Sequence, residues 1–360
     1  MKAKPDIRNV VVQSYLREPP AGEQGAILDC SLGVNQFGTS PMVLEAARDY
    51  DWSKAWLYPA HTYKELKGKI CKFWADYAKL TIEQVQVSHG ASAILDGLNR
   101  IFIGPGSKLL GYSPQFADYV GWVEACGGKY DSILLVPEEK FEFGVERLLA
   151  RISEEHCLVY VDNPNNPTGQ LIKLEEIEEI VKQAGKKDVV VVVDEAYGDY
   201  VGREHSALRL MNEHSNLAVV RSFSKGFGLA GLRLGYGVFS PELSGYYRKI
   251  DIPFSVSMVS CDLAGAALLD QGFIHDCCKT IEREKQKLTV GLRRKGYLVS
   301  ETCEACPIFV LGCKSKDTDL MESLLERGIL TVSGMDFRNL GSNYVRVNTP
   351  PSAQEFLARL

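Results

Sequence analysis

Short apolar runs alternate with helical patterns between residues 83 and 239 of the chain. Each run predicts a strand, and this alternation is typical of an α/β domain. The valine run at 189–193 has no polar alternation, which predicts a central strand covered by helices on both faces. The seven predicted strands span 84–88, 108–112, 132–136, 157–161, 188–193, 217–220 and 234–238.

The pattern changes after Pro253, where a long helical stretch over 258–295 precedes more widely spaced strands. Strands are predicted at 297–299, 308–312 and 344–347, with helices at 317–327 and from Ser352 onward. This order predicts a second, smaller α+β domain. We therefore expect a large α/β domain over 36–255 and a small domain formed by 1–35 together with 256–360.

Composition and charge narrow the class of protein. The 360 residues are 45% hydrophobic and 24% charged, which suits a globular chain with a sizeable core. A formal net charge of -5 argues against binding to the phosphate backbone of nucleic acids. No stretch approaches the about 20 apolar residues of a membrane span. Small-molecule partners and a cytoplasmic location are expected.

The cysteines raise the question of a metal site. Ten of them occur at irregular spacing, which predicts reduced and mostly buried thiols rather than a disulfide framework. Cys303 and Cys306, followed by Cys313, have a zinc-like spacing, but a fourth ligand and a second knuckle are not obvious. Residues 306–313 instead resemble one buried strand, so no metal is predicted.

Lys225 is the most informative residue of the chain. It follows the predicted strand 217–220 and is flanked by small and apolar residues, a setting that desolvates an amine. Desolvation lowers the pKa of a lysine and makes it a nucleophile suited to Schiff base chemistry, whereas the alternative is a solvated surface lysine. Gly226, Gly228 and Gly231 match a dinucleotide fingerprint only formally, because the strand at 234–238 leaves no room for the helix that it requires.

Three ordered motifs around this lysine resemble a known family. They are Ser222-Phe-Ser-Lys225 with Gly-Leu-Arg233, Asn163-Pro-Asn-Asn-Pro-Thr-Gly169 and Asp194-Glu-Ala-Tyr197. Together they resemble the fold type I aminotransferases that depend on pyridoxal 5'-phosphate (PLP), in the branch of histidinol-phosphate aminotransferase and threonine-phosphate decarboxylase. The resemblance covers residues 28–346. It implies a mostly parallel seven-stranded sheet in the large domain and a PLP Schiff base on Lys225.

The resemblance also assigns residues to the cofactor ring. Asp194 would pair with the pyridine nitrogen and keep it protonated, although a helix cap is the alternative. Asn166 and the hydroxyl of Tyr197 would donate to the phenolic oxygen, although Asn166 also suits a turn. Phe116 would stack on the ring face, and its alternative is a core phenylalanine.

Phosphate binding requires amide donors and positive charge. The predicted phosphate ligands are amides before a helical pattern at 94–102, two hydroxyls and a guanidinium: Gly90, Ala91, Ser92, Ser222, Ser224 and Arg233. Tyr58 matches the family tyrosine that reaches the cofactor phosphate of the neighbouring subunit, and its alternative is a hydrophobic anchor. The resemblance therefore implies a homodimer with a shared active site.

The substrate side is less defined. Arg346 matches the arginine that binds the substrate α-carboxylate, with a surface ion pair as the alternative, and Asn35 would lie near that carboxylate. We expect transfer of an amino group between an L-amino acid and a 2-oxo acid, with decarboxylation or another PLP reaction as alternatives. Val332 stands where both relatives have an arginine for the substrate phosphate, which argues against a phosphorylated substrate. Arg338 is a candidate to compensate.

Overall fold

The structure is a computed structural model that describes residues 27–360. Its strands are β1 (Leu28–Asp29), β2 (Val85–Ser88), β3 (Lys108–Ser113), β4 (Lys129–Leu134), β5 (His156–Asp162), β6 (Val190–Asp194), β7 (Leu217–Ser222), β8 (Gly235–Phe239), β9 (Leu298–Val299), β10 (Ile308–Gly312), β11 (Ile329–Leu330), β12 (Val332–Ser333) and β13 (Tyr344–Asn348). Its α-helices are α1 (Pro41–Arg48), α2 (Lys64–Trp74), α3 (Ala91–Phe102), α4 (Ala117–Ala125), α5 (Val145–Leu149), α6 (Leu174–Gly185), α7 (Pro241–Arg248), α8 (Met258–Ala267), α9 (Gln271–Arg294), α10 (Leu320–Leu325) and α11 (Ala353–Ala358).

A seven-stranded sheet forms the centre of the fold, in the order β2-β8-β7-β6-β5-β3-β4. β8 runs antiparallel to both of its neighbours, and the other pairs are parallel. β6 lies in the middle, where Val191 and Val193 pack into one apolar layer and Val192 packs into the other. Burial on both faces explains why this strand shows no polar alternation. The prediction of an α/β fold with a mostly parallel seven-stranded sheet is confirmed.

Two helix predictions differ from the structure for a local reason. The stretch predicted as one helix over 258–295 is divided into α8 and α9, and the Asp270 side chain caps α9 by accepting a hydrogen bond from the Phe273 amide at 3.2 Å. The helix predicted at 317–327 is shortened to α10, whose start Asp319 caps in the same way. An aspartate N-cap sets the residue at which a helix begins, and hydrophobic spacing alone does not mark that residue.

The strand predicted at 132–136 begins and ends earlier in the structure. β4 spans Lys129–Leu134 because it pairs in register with β3, with Lys108 opposite Lys129 and Ser113 opposite Leu134. Lys129 and Asp131 are charged, and β4 is an edge strand of the sheet. Edge strands carry polar residues readily, so their hydrophobic pattern underestimates their length.

A second sheet has the order β12-β13-β10-β9, and β1 pairs in parallel with β11 beside it. The chain after β1 also contacts this region, since the Asn348 side chain donates to the backbone oxygen of Leu32 at 2.7 Å. These contacts support the assignment of residues before 36 to the small domain. The domain boundaries remain a prediction, and the part of that assignment that covers residues 1–26 lies outside the described residues.

The cysteines are unpaired, as predicted, but only three of the ten are buried, so the expectation that most of them are buried is wrong. Cys30, Cys277 and Cys306 are buried, and the other seven are half-buried. β10, between Cys306 and Cys313, is buried along its whole length. Among the helices of residues 27–360, none is long and apolar enough to cross a membrane.

Candidate active site

A cavity of about 570 Å³ opens at the carboxyl ends of β5, β6 and β7, which end in Asp162, Asp194 and Ser222. Ligands of open α/β sheets bind at this edge, because the loops that follow parallel strands gather there. Ten of the residues predicted for the site line the cavity: Ala91, Ser92, Phe116, Asn166, Asp194, Tyr197, Ser222, Ser224, Lys225 and Arg233. The structure thus brings together residues that are far apart in the sequence.

Lys225 lies three residues beyond β7 and is half-buried, because its side chain opens onto the cavity. Its Nζ lies 5.2 Å from the centre of the Tyr197 ring. Burial and the nearby Arg346 and Arg233 cations together lower the pKa of Lys225 to about 7, although the Asp194 carboxylate opposes this shift. A neutral amine near pH 7 is the form that attacks a carbonyl carbon.

Asp194 is the last residue of β6 and is buried. Its Oδ2 accepts a hydrogen bond from the Tyr160 hydroxyl at 2.9 Å, and its Oδ1 accepts one from the Ala196 amide at 3.0 Å. Burial and the neighbouring Asp162 raise the pKa of Asp194 to about 7. A protonated ring nitrogen would supply the positive charge that stabilises this carboxylate, so the site fits the pyridine of PLP.

Asp162, which the sequence analysis missed, organises the loop that carries Asn166. Its carboxylate accepts hydrogen bonds from the Asn166 amide at 2.9 Å and from the Gln115 and Asn165 side chains at 2.9 and 3.1 Å. The Oδ1 of Asn166 accepts from Arg346 at 3.0 Å. Its Nδ2 group is therefore left to donate, as binding to a phenolic oxygen requires.

The residues predicted to bind the cofactor phosphate converge at the start of α3. Gly90 precedes this helix without a side-chain cap, so the first amides are available to an anion. A Cβ at Gly90, which has a φ of 104°, would lie 3.1 Å from the Arg233 guanidinium. A Cβ at Gly235 would lie 2.4 Å from the Ala91 nitrogen, so only glycine lets β8 pack this closely. Ser222 and Ser224 line the same cavity.

Phe116 lies on the cavity wall, immediately before α4. It is half-buried and contacts Trp122 edge-on, with ring centres 5.9 Å apart. A core phenylalanine would instead be fully enclosed. The partly open position of Phe116 is the one that stacking on a planar ligand requires.

Arg221, also missed by the sequence analysis, lies behind the cavity. It is buried on β7, where its guanidinium forms ion pairs with Glu195 at 2.6 Å and with Asp199. Glu195 directly follows Asp194, and Arg221 lies four residues before Lys225. The ion pair between Arg221 and Glu195 therefore joins the segment of Lys225 to the segment of Asp194. The sequence feature that could have identified Arg221 is a charged residue that directly follows an apolar run.

Besides Gly90, three predicted residues do not line the cavity. Arg346 is buried on β13 and reaches the site through Asn166, while its Nη2 donates to the Ser31 backbone oxygen at 2.7 Å. Asn35 is buried and donates to the Gly226 backbone oxygen at 2.9 Å, so it contacts the loop after Lys225. Tyr58 is 81% exposed and packs on Phe254, with ring centres 5.1 Å apart.

The structure also shows where Val332 and Arg338 lie, the two residues considered for binding of a substrate phosphate. Val332 lies directly opposite Arg346 in the β12–β13 ladder, 1% exposed and packed in the apolar core. Arg338 forms an ion pair with Glu124 at 2.5 Å and does not line the cavity. The structure gives no support to the idea that Arg338 replaces the missing cation.

Comparison with known proteins identifies the family of the chain. Residues 27–360 match the sequence model of the aminotransferase class I and II family. The chain is similar to the histidinol-phosphate aminotransferase of Halorubrum lacusprofundi, with 31% identity over 93% of the chain and 88% of the relative. It is 29% identical to the enzyme of the same name from Methanocaldococcus jannaschii, over 89% of the chain and 84% of that protein.

Solved structures show the same fold. The histidinol-phosphate aminotransferase of Sinorhizobium meliloti, in complex with pyridoxal-5'-phosphate, superposes with a TM-score of 0.84 at 23% identity, over 99% of this chain and 95% of that one. A Thermus thermophilus aspartate aminotransferase variant superposes with a TM-score of 0.83 at 23% identity, over 100% and 98% of the two chains.

The chain therefore belongs to the aminotransferase class I and II family. The predictions of a fold type I aminotransferase, of an enzyme that transfers amino groups and of PLP as its cofactor are confirmed at the level of this family. Decarboxylation, the alternative reaction, is not favoured by these relatives.

Proposed function

We propose that this enzyme transfers an amino group between an L-amino acid and a 2-oxo acid, with PLP attached to Lys225. The observation that carries the proposal is the bond between Arg346 and Asn166, at 3.0 Å. It places a candidate carboxylate ligand beside the cofactor cavity, close enough for the Arg346 charge to lower the pKa of Lys225. An amino acid substrate requires a ligand for its carboxylate and a cofactor beside its amino group at the same time.

Each residue has a separate task in this proposal. PLP, when bound, supplies an electron sink for the carbanion at the substrate Cα. Asp194 holds a proton at the ring nitrogen, and Arg346 binds the α-carboxylate as a bidentate pair. The Lys225 amine would hold PLP and would move the proton at the substrate Cα, which its lowered pKa permits near neutral pH.

We also propose that the natural substrate carries no phosphate ester. The support is Val332, which places an apolar side chain beside Arg346, where the resemblance calls for a second arginine. A phosphate dianion in that position would face one guanidinium and an apolar wall. Because an unsolvated charge is costly, such a substrate would bind weakly.

A homodimer with a shared active site is part of the proposal. Tyr58 is too exposed to serve the cavity of its own chain, and neighbouring large side chains are exposed with it: Trp52, Trp56, Leu57, Ile252 and Phe254. Exposed apolar groups of this size mark interaction surfaces. A second subunit would cover them and direct Tyr58 toward a partner's phosphate site. The ten unpaired cysteines suit a reducing compartment, and we propose the cytoplasm.

A half-reaction screen tests the function. The enzyme loaded with PLP is mixed with single L-amino acids, and the absorbance change from the aldehyde to pyridoxamine phosphate is followed while released carbon dioxide is measured. We expect pyridoxamine phosphate and the 2-oxo acid without carbon dioxide. Carbon dioxide released in step with amino acid consumption would instead establish a decarboxylase.

A further inference from the structure

Asp118 lines the same cavity, and among residues 27–360 the only cation that acts on its carboxylate is the more distant Arg346. It lies in the first turn of α4, two residues beyond Phe116, and is half-buried. Within residues 27–360, its carboxylate accepts no hydrogen bond and forms no ion pair. A carboxylate partly removed from water and without a partner is unfavourable unless a ligand supplies the partner.

The other charged groups around the cavity are already assigned. Arg233 belongs to the phosphate, Asp194 to the ring nitrogen and Lys225 to the covalent bond, whereas Asp162 is satisfied by the backbone and side chains of its own loop. Asp118 is the lining charge that remains. The capping of the α4 dipole is its structural alternative, but burial raises its pKa, and Asp336 raises it further although Arg346 opposes this.

The wall near the amino-terminal segment is apolar. Leu32 and Val34 line the cavity together with Phe116, so the cavity offers hydrocarbon surface as well as one carboxylate. Side chains with a methylene stem and a charged end match such a surface, because the stem packs on apolar groups while the charge finds its counter-ion. Val332, opposite Arg346, adds no second cation to compete for Asp118.

We infer that Asp118 selects substrates whose side chain carries a positive charge, such as the ammonium of lysine or ornithine or the guanidinium of arginine. This inference rests on the proposed function, since Arg346 would hold the α-carboxylate and leave the side chain to the rest of the cavity. The Asp118 carboxylate then pairs with the cationic end of the substrate. An anionic side chain meets repulsion at the same position.

The test compares the wild-type enzyme with Asp118→Asn and Asp118→Glu in the half-reaction. The donors are L-lysine, L-ornithine and L-arginine against L-methionine and L-glutamate. We expect kcat/KM of Asp118→Asn to fall about 10- to 100-fold for the cationic donors, the range for a lost bond to a charged group, and to change little for L-methionine. Asp118→Glu keeps the charge and should retain the preference. Glu124→Gln, on the same helix but paired with Arg338 away from the cavity, is the matched control.

Binding provides a second measurement that does not depend on turnover. α-Methyl-L-lysine and α-methyl-L-methionine carry a methyl group in place of the Cα hydrogen, so calorimetry reports their Kd without transfer. The wild-type enzyme should bind the lysine analogue more tightly, and Asp118→Asn should lose that difference. Equal affinity for both analogues, or an equal loss for both in Asp118→Asn, overturns the inference. If no donor forms pyridoxamine phosphate, the proposed function fails, and the calorimetry still decides the role of Asp118.

Discussion

The Nη1 of Arg346 donates a hydrogen bond of 3.0 Å to the Oδ1 of Asn166, across 180 residues of sequence. The bond joins the candidate carboxylate ligand on β13 to the candidate cofactor ligand after β5. It also orients the Asn166 amide so that Nδ2 is the group left to donate. In the proposed roles, this hydrogen bond links the residue that binds the substrate to the residue that binds the cofactor.

Replacement of Arg346 tests its role at the carboxylate. Arg346→Ala should raise KM for amino acids by roughly 10- to 100-fold, because a charge-assisted bond to the substrate is lost. The cofactor should remain attached to Lys225. Steady-state kinetics and the absorption spectrum measure both. Arg338→Ala removes an arginine that pairs with Glu124 instead, so its KM should be unchanged. An unchanged KM in Arg346→Ala would remove the proposed role.

The attachment site of PLP can be mapped directly. Reduction with borohydride should fix the cofactor on Lys225, and mass spectrometry of the peptides should find it there. Lys225→Ala should prevent this labelling. Lys285 is an internal comparison, since it is buried with a pKa lowered to about 8 but donates hydrogen bonds to the backbone oxygens of Cys306 and Ile308. Labelling of Lys285 in place of Lys225 would refute the site.

The pH dependence of cofactor attachment follows from the lowered pKa of Lys225. The neutral amine is the reactive form, so a pKa of about 7 predicts that the rate rises about tenfold from pH 6 to pH 8 and then levels off. Stopped-flow absorbance of the cofactor-free protein mixed with PLP measures this. In Arg346→Gln the midpoint should move to higher pH, because the Arg346 charge helps to lower the pKa. A rate that still climbs at pH 10 would indicate an ordinary lysine.

Asp194→Asn tests the partner of the ring nitrogen. An amide does not stabilise a protonated pyridine, so kcat should fall by roughly 10²- to 10³-fold, the range seen when one preorganised electrostatic group is removed. Tyr160→Phe, which removes only the hydrogen bond of 2.9 Å to Asp194, should have a much smaller effect. Single-turnover rates compare the two variants. Equal losses in both would assign the effect to local packing.

The exposed Tyr58 connects the active site to the oligomeric state. Tyr58→Phe should raise the Kd for PLP about 10-fold, because a hydroxyl bond to a charged phosphate is lost. Tyr50→Phe is the control, since that ring packs against Trp52 in the same exposed region. Equilibrium dialysis gives the Kd, and sedimentation gives the mass of the assembly. A monomer that binds PLP with unchanged affinity in Tyr58→Phe would contradict the shared site.

The chain order of strands and the cofactor motifs could be predicted because both depend on local sequence. A valine run such as 189–193 indicates a buried central strand wherever it occurs, and Lys225, Asp194 and Asn166 lie within contiguous motifs. Helix starts were harder to predict, because the caps at Asp270 and Asp319 set where α9 and α10 begin, and hydrophobic spacing does not mark these residues. The early start of β4 also depended on its partner strand.

The sequence by itself determined the family and the cofactor, and it identified Lys225 as the candidate Schiff base lysine. Only the tertiary structure decided which groups face the cavity together. Asp162 became visible as an organiser of Asn166 through bonds to three residues, Val332 through its place opposite Arg346, and Asp118 through its place on the cavity wall. The physical reason is that a side chain's partners come from segments that approach only after folding, and hydrophobic periodicity contains no information about them.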